Sequence, residues 1–281
     1  MKQAGDYSRE ATERCERVLV TVLGNIGPWA DQIYLVGGLA PRYLIGELPE
    51  REAAHVGTTD VDLVISLSVI DDDVEAYKTL EKNLRNAGFT QEEPSFRWKR
   101  EVDGIPVLVE FLCDTDEVAA GRIFRPKHGL GSNLSAFNVA GAQLATRDYI
   151  EVEVDAERLD GGGRSKVSLR VANLLPYTVL KINAFQDRHE NKDAYDLIFC
   201  LLHYRDEPEQ TGRELAGSDV AGHDQVTVAL ALLGERFADL DQDGPSAYAA
   251  FLDDGTDEEA RIALQREAIA VVRGFLAGFG G

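Results

Sequence analysis

Asp60 and Asp62 lie one residue apart in the run Thr59-Asp60-Val61-Asp62-Leu63-Val64-Ile65 and constrain the fold more than any other feature. Side chains alternate along a strand, so the two carboxylates share one face while Val61 and Leu63 share the other. Their Cα atoms then stand roughly 6.5–7 Å apart, twice the strand rise. Like charges at that spacing repel, and each is costly to bury unpaired. A divalent cation removes that penalty, because carboxylate sites hold Mg²⁺ together with substrate phosphates.

The surrounding pattern is mixed α+β. Residues 7–23 carry apolar positions at helical spacing, and Ile33-Tyr34-Leu35-Val36 reads as a short strand ended by Gly37-Gly38. Leu39 to Ile45 reads as helix with Pro41 in its first turn, and a polar excursion from Glu47 to Val56 leads into a strand over 61–67. Asp71-Asp72-Asp73 open a helix through Val74, Tyr77, Leu80 and Leu84. Residues 95–102 and 105–113 form a hairpin across Asp103-Gly104. The stretch 115–150 is read as loop, short helix and a strand near 148–154, and Asp160-Gly161-Gly162-Gly163 turns the chain into a strand over 167–171. After Leu174 the chain is helical over 174–188, 192–204, 224–240, 245–253 and 257–278, with 205–223 a polar, Gly-rich exposed loop. The expectation is a sheet domain over 1–172, a mixed β-sheet flanked by helices, and a helical domain over 173–281.

Composition limits the function classes. With 49 acidic against 29 basic residues the chain carries −20, which argues against a broad nucleic-acid-binding face. No apolar stretch reaches the length of a membrane span and the start is too polar for a signal peptide, so a cytoplasmic protein is expected. Cys15, Cys113 and Cys200 are far apart among apolar neighbours and read as reduced, buried thiols. The five histidines are scattered without ligand spacing, and Ser132, Asn133 and Ser135 form no hydrolase signature. Arg97, Lys99 and Arg100 around Trp98 read as a solvated edge strand.

Three further elements bear on the aspartates. Gly37-Gly38 between strand and helix offers bare backbone N–H groups where phosphate binds readily. Glu110 lies within Val107-Leu108-Val109-Glu110-Phe111-Leu112, an acid inside an apolar strand, and is favoured as a third carboxylate over Asp114. Lys181, Arg188 and Lys192 fall within a narrow arc of one continuous helix, where cations can clamp triphosphate oxygens. Asn191 could instead cap a second helix, and the bland reading of this run is a solvated helix with ordinary pairs such as Lys192 with Asp196.

Together, Gly37-Gly38, Asp60-Val61-Asp62 and Glu110 resemble the DNA polymerase β-like nucleotidyltransferase superfamily. The gap between Gly38 and Asp60 exceeds that family's usual spacing, and Glu47 to Val56 reads as a loop insertion. The downstream run, with Lys181, Ala184, Arg188, Lys192, Asp193 and Asp196, resembles the second motif of AbiEii-type toxins. The resemblance implies NMP transfer from an NTP to an acceptor hydroxyl. Asp60, Asp62 and Glu110 would hold Mg²⁺ in a two-metal site. Gly37, Gly38, Thr59, Lys181, Arg188 and Lys192 would bind the nucleotide, and Asp193 would orient Lys181 or Arg188. It further implies a toxin acting on tRNA or other RNA, neutralised by an antitoxin protein. The −20 charge cuts against a polyanionic acceptor, which keeps a small molecule or a protein hydroxyl open. A non-catalytic protein of the same fold is the remaining alternative.

Overall fold

The computed structural model describes residues 3–46, 48, 49, 54–66, 74–125, 134–205, 207–253 and 255–281. The fold is mixed α+β, and the chain forms two compact units. One comprises Ser8–Ala40 and Gly57–Ala172; the other gathers Met1–Tyr7, Pro41–Val56 and Asn173–Gly281. The expected bounds, 1–172 and 173–281, differ from these in the two short segments 1–7 and 41–56.

The first unit is built on a sheet. Helix α1 (Arg9–Asn25) starts at Ser8, whose hydroxyl accepts the Ala11 N–H at 3.2 Å. Strands β1 (Ile33–Val36) and β2 (Asp60–Ile65) follow, then helix α3 (Val74–Asn86), which buries Leu80 and Leu84. Asp71-Asp72-Asp73 lie outside the described residues. Next come β3 (Thr90–Glu92), β4 (Arg97–Val102) and β5 (Ile105–Cys113). The expected Asp103-Gly104 turn joins β4 to β5, with φ of 54° and 77°, as a two-residue hairpin turn of this hand requires. Strands β6 (Ile123–Phe124) and β7 (Ala136–Asn138) occupy the stretch read loosely from sequence, and β8 (Tyr149–Glu157) with β9 (Arg164–Ala172) close the unit.

The sheet runs β3-β4-β5-β2-β1-β9-β8, with β7 joining β5 and β6. Strand β2 is antiparallel to β1 and parallel to β5. Val61, Leu63, Val109 and Phe111 are fully buried on one face of these central strands, which is why the acids of β2 occupy the other. Strand β4 is flanked by β3 and β5, so the expectation of an edge strand for Arg97, Lys99 and Arg100 is corrected. The ends of that order are β3, beside β4, and β8, beside β9. On β8, Glu151, Glu153 and Asp155 pair with Arg170, Lys166 and Arg164 of β9.

The second unit is helical: α2 (Pro41–Leu44), α4 (Leu174–Arg188), α5 (Asn191–His203), α6 (Pro208–Leu215), α7 (Asp224–Arg236), α8 (Asp243–Leu252) and α9 (Glu258–Gly280). Asn173 caps α4 by accepting the Leu174 N–H at 2.9 Å, and the Tyr204 hydroxyl donates to the same Oδ1 at 2.7 Å. The 205–223 segment is not all loop, because α6 lies within it. Pro208 opens that helix, and Gly212 admits α9 so closely that an added Cβ would stand 2.1 Å from the Phe275 carbonyl oxygen. The sequence signal was weak because α6 buries little more than Thr211, Gly212 and Leu215. Among the described residues no helix is long and apolar enough to cross a membrane.

Candidate functional site

The sheet places three of the expected site acids on one face. In the parallel β2–β5 ladder Asp62 stands opposite Glu110 and Asp60 opposite Leu108. Register partners on adjacent strands point the same way, so Asp60, Asp62 and Glu110 share the face opposite the buried Val61 and Val109. All three are half-buried.

Gly37 completes this end of the sheet. Val36, the last residue of β1, is the register partner of Asp62, and Gly37 follows with φ of +67°. A Cβ built on Gly37 would lie 1.8 Å from Asp62 Oδ2. Position 37 is thus closed to side chains twice over, by backbone conformation and by the carboxylate. Gly38 is buried in the 3₁₀ turn that follows.

Thr58 orients Asp60. Its hydroxyl donates to Asp60 Oδ1 at 2.6 Å, its N–H donates to the Thr12 hydroxyl at 3.2 Å, and its carbonyl accepts from Cys15 Sγ at 3.7 Å. Sequence reading named Thr59, which is exposed; Thr58 is buried. Period-two alternation carried the signal, since a residue two before Asp60 shares its face. The Cys15 and Cys113 thiols are free, and burial pushes both up to about 12, as expected of inert interior cysteines.

Glu110 has a partner on its other side. Arg97, its register neighbour on β4, donates from Nε to Glu110 Oε1 at 2.6 Å. Asp114, the rival acid, accepts the Gly141 N–H at 2.9 Å and serves a turn. A set of carboxylates without thiolate or imidazole suits a hard divalent cation. Asp60 and Asp62 fit such an ion by type and face, whereas Glu110 is engaged with a guanidinium. Among the described residues no three His, Cys, Asp or Glu side chains gather as a metal centre.

The helical unit gathers the downstream residues. Helix α4 ends at Arg188 and His189 takes the left-handed conformation that turns the chain into α5, with Glu190 rather than Asn191 at the cap position. The corner brings Lys181 against two carboxylates, Asp193 Oδ1 at 3.1 Å and Asp196 Oδ2 at 2.6 Å. Arg188 grips Asp193 with two bonds, Nε to Oδ2 at 2.6 Å and a terminal nitrogen to Oδ1 at 2.7 Å. Lys192 donates to both oxygens of Asp196, at 2.7 and 2.9 Å, and lies 5.1 Å from the Tyr7 ring centre. The Lys192–Asp196 pair is the i, i+4 pairing of the bland reading, but it is buried rather than solvated.

Burial alone would raise both carboxyls. Lys181 and Arg188 instead hold Asp193, and Lys181 and Lys192 hold Asp196, below the usual carboxylate range. Burial opposes the Lys181 charge as well, but Asp196 and Asp193 together hold its ammonium above the ordinary lysine value. His55, one of the five histidines scattered without ligand spacing, joins this cluster. Its Nε2 lies 2.9 Å from Asp196 Oδ1, and its ring packs on Tyr195 and Phe199. Burial lowers its pKa. No local pattern links residues so far apart in the chain. Ser132, Asn133, His128 and part of the 47–56 insertion lie outside the described residues.

Comparison with protein-family models, curated proteins and solved structures finds no match.

Proposed function

We propose that this chain is a metal-dependent nucleotidyltransferase that moves an NMP from an NTP to an acceptor hydroxyl. The observation that carries this reading is the shared face of Asp60, Asp62 and Glu110, closed at one end by a glycine packed against the Asp62 side chain. The alternation alone is that of a sheet with one buried face; the register of Asp62 with Glu110 and the glycine packed on Asp62 are what support a site.

In this reading Asp60 and Asp62 hold Mg²⁺, with Glu110 available to complete the set when Arg97 releases it. The bound ion supplies charge neutralisation at the triphosphate and a lowered pKa for the acceptor hydroxyl. Thr58 fixes the Asp60 rotamer, and the Gly37-Gly38 backbone gives phosphate oxygens a close approach. The likeness to AbiEii-type toxins would give Lys181, Arg188 and Lys192 a nucleotide-binding role; within the helical unit all three are paired with Asp193 and Asp196. The likeness to AbiEii-type toxins supports an RNA acceptor and an antitoxin partner. The −20 charge favours a small-molecule or protein acceptor instead.

Incubating the protein with each α-labelled NTP, Mg²⁺ and a cell extract tests the reading. Label should enter one acceptor class in wild type and none in Asp60→Ala. Label in RNA supports the toxin reading, and label in small molecules or protein supports the other. Equal label in wild type and Asp60→Ala, or none in either, sinks the proposal.

A further inference from the structure

His55 belongs to the short segment 54–56 of the helical unit, and one turn of α5 holds two consecutive residues of that segment. The imidazole stacks on Tyr195 with centroids 5.3 Å apart and meets Phe199 edge-on at 4.9 Å. The next N–H, that of Val56, donates to the Tyr195 hydroxyl at 3.2 Å. An ionised carboxylate only accepts, so the Nε2 that faces Asp196 carries the ring proton and neutral His55 is the Nε2–H tautomer.

Burial, rather than the balance of neighbouring charges, keeps a second proton off the ring. Helix α4 presents Lys181, and helix α5 presents Lys192 and Asp196. Behind them Asp193 is shared by Lys181 and Arg188. Three cations already face two carboxylates in a site where the His55 side chain is 7% exposed and that of Asp196 0%. Asp196 favours a charged imidazole, but desolvation opposes it more strongly, and the Lys192 and Lys181 ammonium groups add like-charge repulsion. Burial accordingly keeps the His55 pKa below its ordinary value.

The geometry points to His55 as a pH-operated latch: neutral, it ties residues 54–56 to α5 and fixes Asp196 beneath Lys181 and Lys192, and on protonation it leaves the cluster and frees the segment. The latch stands on the packing of this unit alone. Its role as a positioning residue for Lys181 and Lys192 rests on the nucleotidyltransferase reading.

Hydrogen exchange read by mass spectrometry tests it at about pH 7.5 and about pH 5.5, one unit either side of the ordinary imidazole value, with times scaled for intrinsic exchange. In wild type, peptides containing Val56 and residues 191–199 should lose protection at the lower pH, on the order of tenfold. His55→Gln keeps an N–H donor toward Asp196 and does not titrate, so its protection should match at both pH values. Unchanged protection in wild type, or the same loss in His55→Gln, overturns the latch. Anisotropy of TNP-ATP with Mg²⁺ on the same samples separates the second claim. Affinity that falls with protection in wild type but not in His55→Gln supports positioning, and affinity indifferent to both removes it. No TNP-ATP binding in any sample counts against the nucleotidyltransferase reading, while the exchange data still decide the latch.

Discussion

Asp193 and Asp196 keep 1% and 0% of their side chains in contact with water, whereas Asp60 and Asp62 on the sheet are only half-buried. The buried pair is met by three cations, Lys181, Arg188 and Lys192. On the sheet the known partners are a hydroxyl for Asp60 and, for Glu110, the guanidinium of Arg97. The same residue type therefore meets two different fates. In the helical unit the acids are part of the interior and their removal unbalances it. On the sheet they are part-exposed, and the proposed cation would replace or join their present neighbours.

Breaking the buried cluster should have the largest effect. Asp196→Ala leaves Lys181 and Lys192 buried without their shared carboxylate, and should cost about 3–5 kcal/mol in urea denaturation. Asp196→Asn, which keeps the shape, should recover part of that. A loss below about 1 kcal/mol for both would show that the cluster is as replaceable as a surface pair.

Next comes Gly37→Ala. It forces a side chain into a left-handed position against Asp62 and should cost about 1–3 kcal/mol. Combining it with Asp62→Gly should relieve the collision but not the backbone strain, so the double variant should recover only part of the loss. Full additivity of the two changes would mean that Gly37 does not rest on Asp62.

The pH dependence of stability should then follow the buried groups. The folded pKa of His55 lies below 6.5, so the unfolded chain takes up the proton first and stability begins to fall as pH drops through about 6.5. Asp193 and Asp196 are held low, so their contribution is complete above about 3.8 and is lost as pH falls through their depressed values. Lys181 is raised, and its contribution, complete below about 10.5, is lost at higher pH. Thermal midpoints across pH should show the first of these slopes disappear in His55→Gln. A slope that persists there must come from other groups.

The smallest effect on stability belongs to the sheet acids. Asp62→Asn should change denaturation by no more than about 0.5 kcal/mol, since it removes a charge that repels Asp60. The same change should abolish label transfer. A large loss of stability would make Asp62 a structural residue and weaken the functional reading.

Local chemistry was the legible part of the chain. The Asp103-Gly104 turn, the alternation of β2 and the strand–Gly-Gly–turn sequence each depend on neighbours within a few residues, and each holds in the structure. The Arg97–Glu110 pair is equally local in origin: a two-residue turn at 103–104 sets Arg97 opposite Glu110, so the pair follows from the hairpin. The grip of Arg188 on Asp193 required knowing that the chain turns at His189 instead of continuing as one helix. His55 with Asp196 was beyond reach, because 141 residues separate them and only tertiary packing joins them. Helix α6 was masked by a polar composition that reflects how little of it is buried.

The acid strand and the basic strand of the β8–β9 hairpin have a consequence for how that hairpin finds its alignment. Every outward charge at 151, 153, 155 and 157 is negative, and those at 164, 166 and 170 are positive. Sliding one strand past the other by two residues would exchange three directly opposed charge pairs for two, because Ser168 interrupts the basic row. The outer row therefore discriminates weakly: it specifies which strands lie together more firmly than in what frame. The frame rests mainly on the opposite face, where buried Val154 and Leu169 each have one seat.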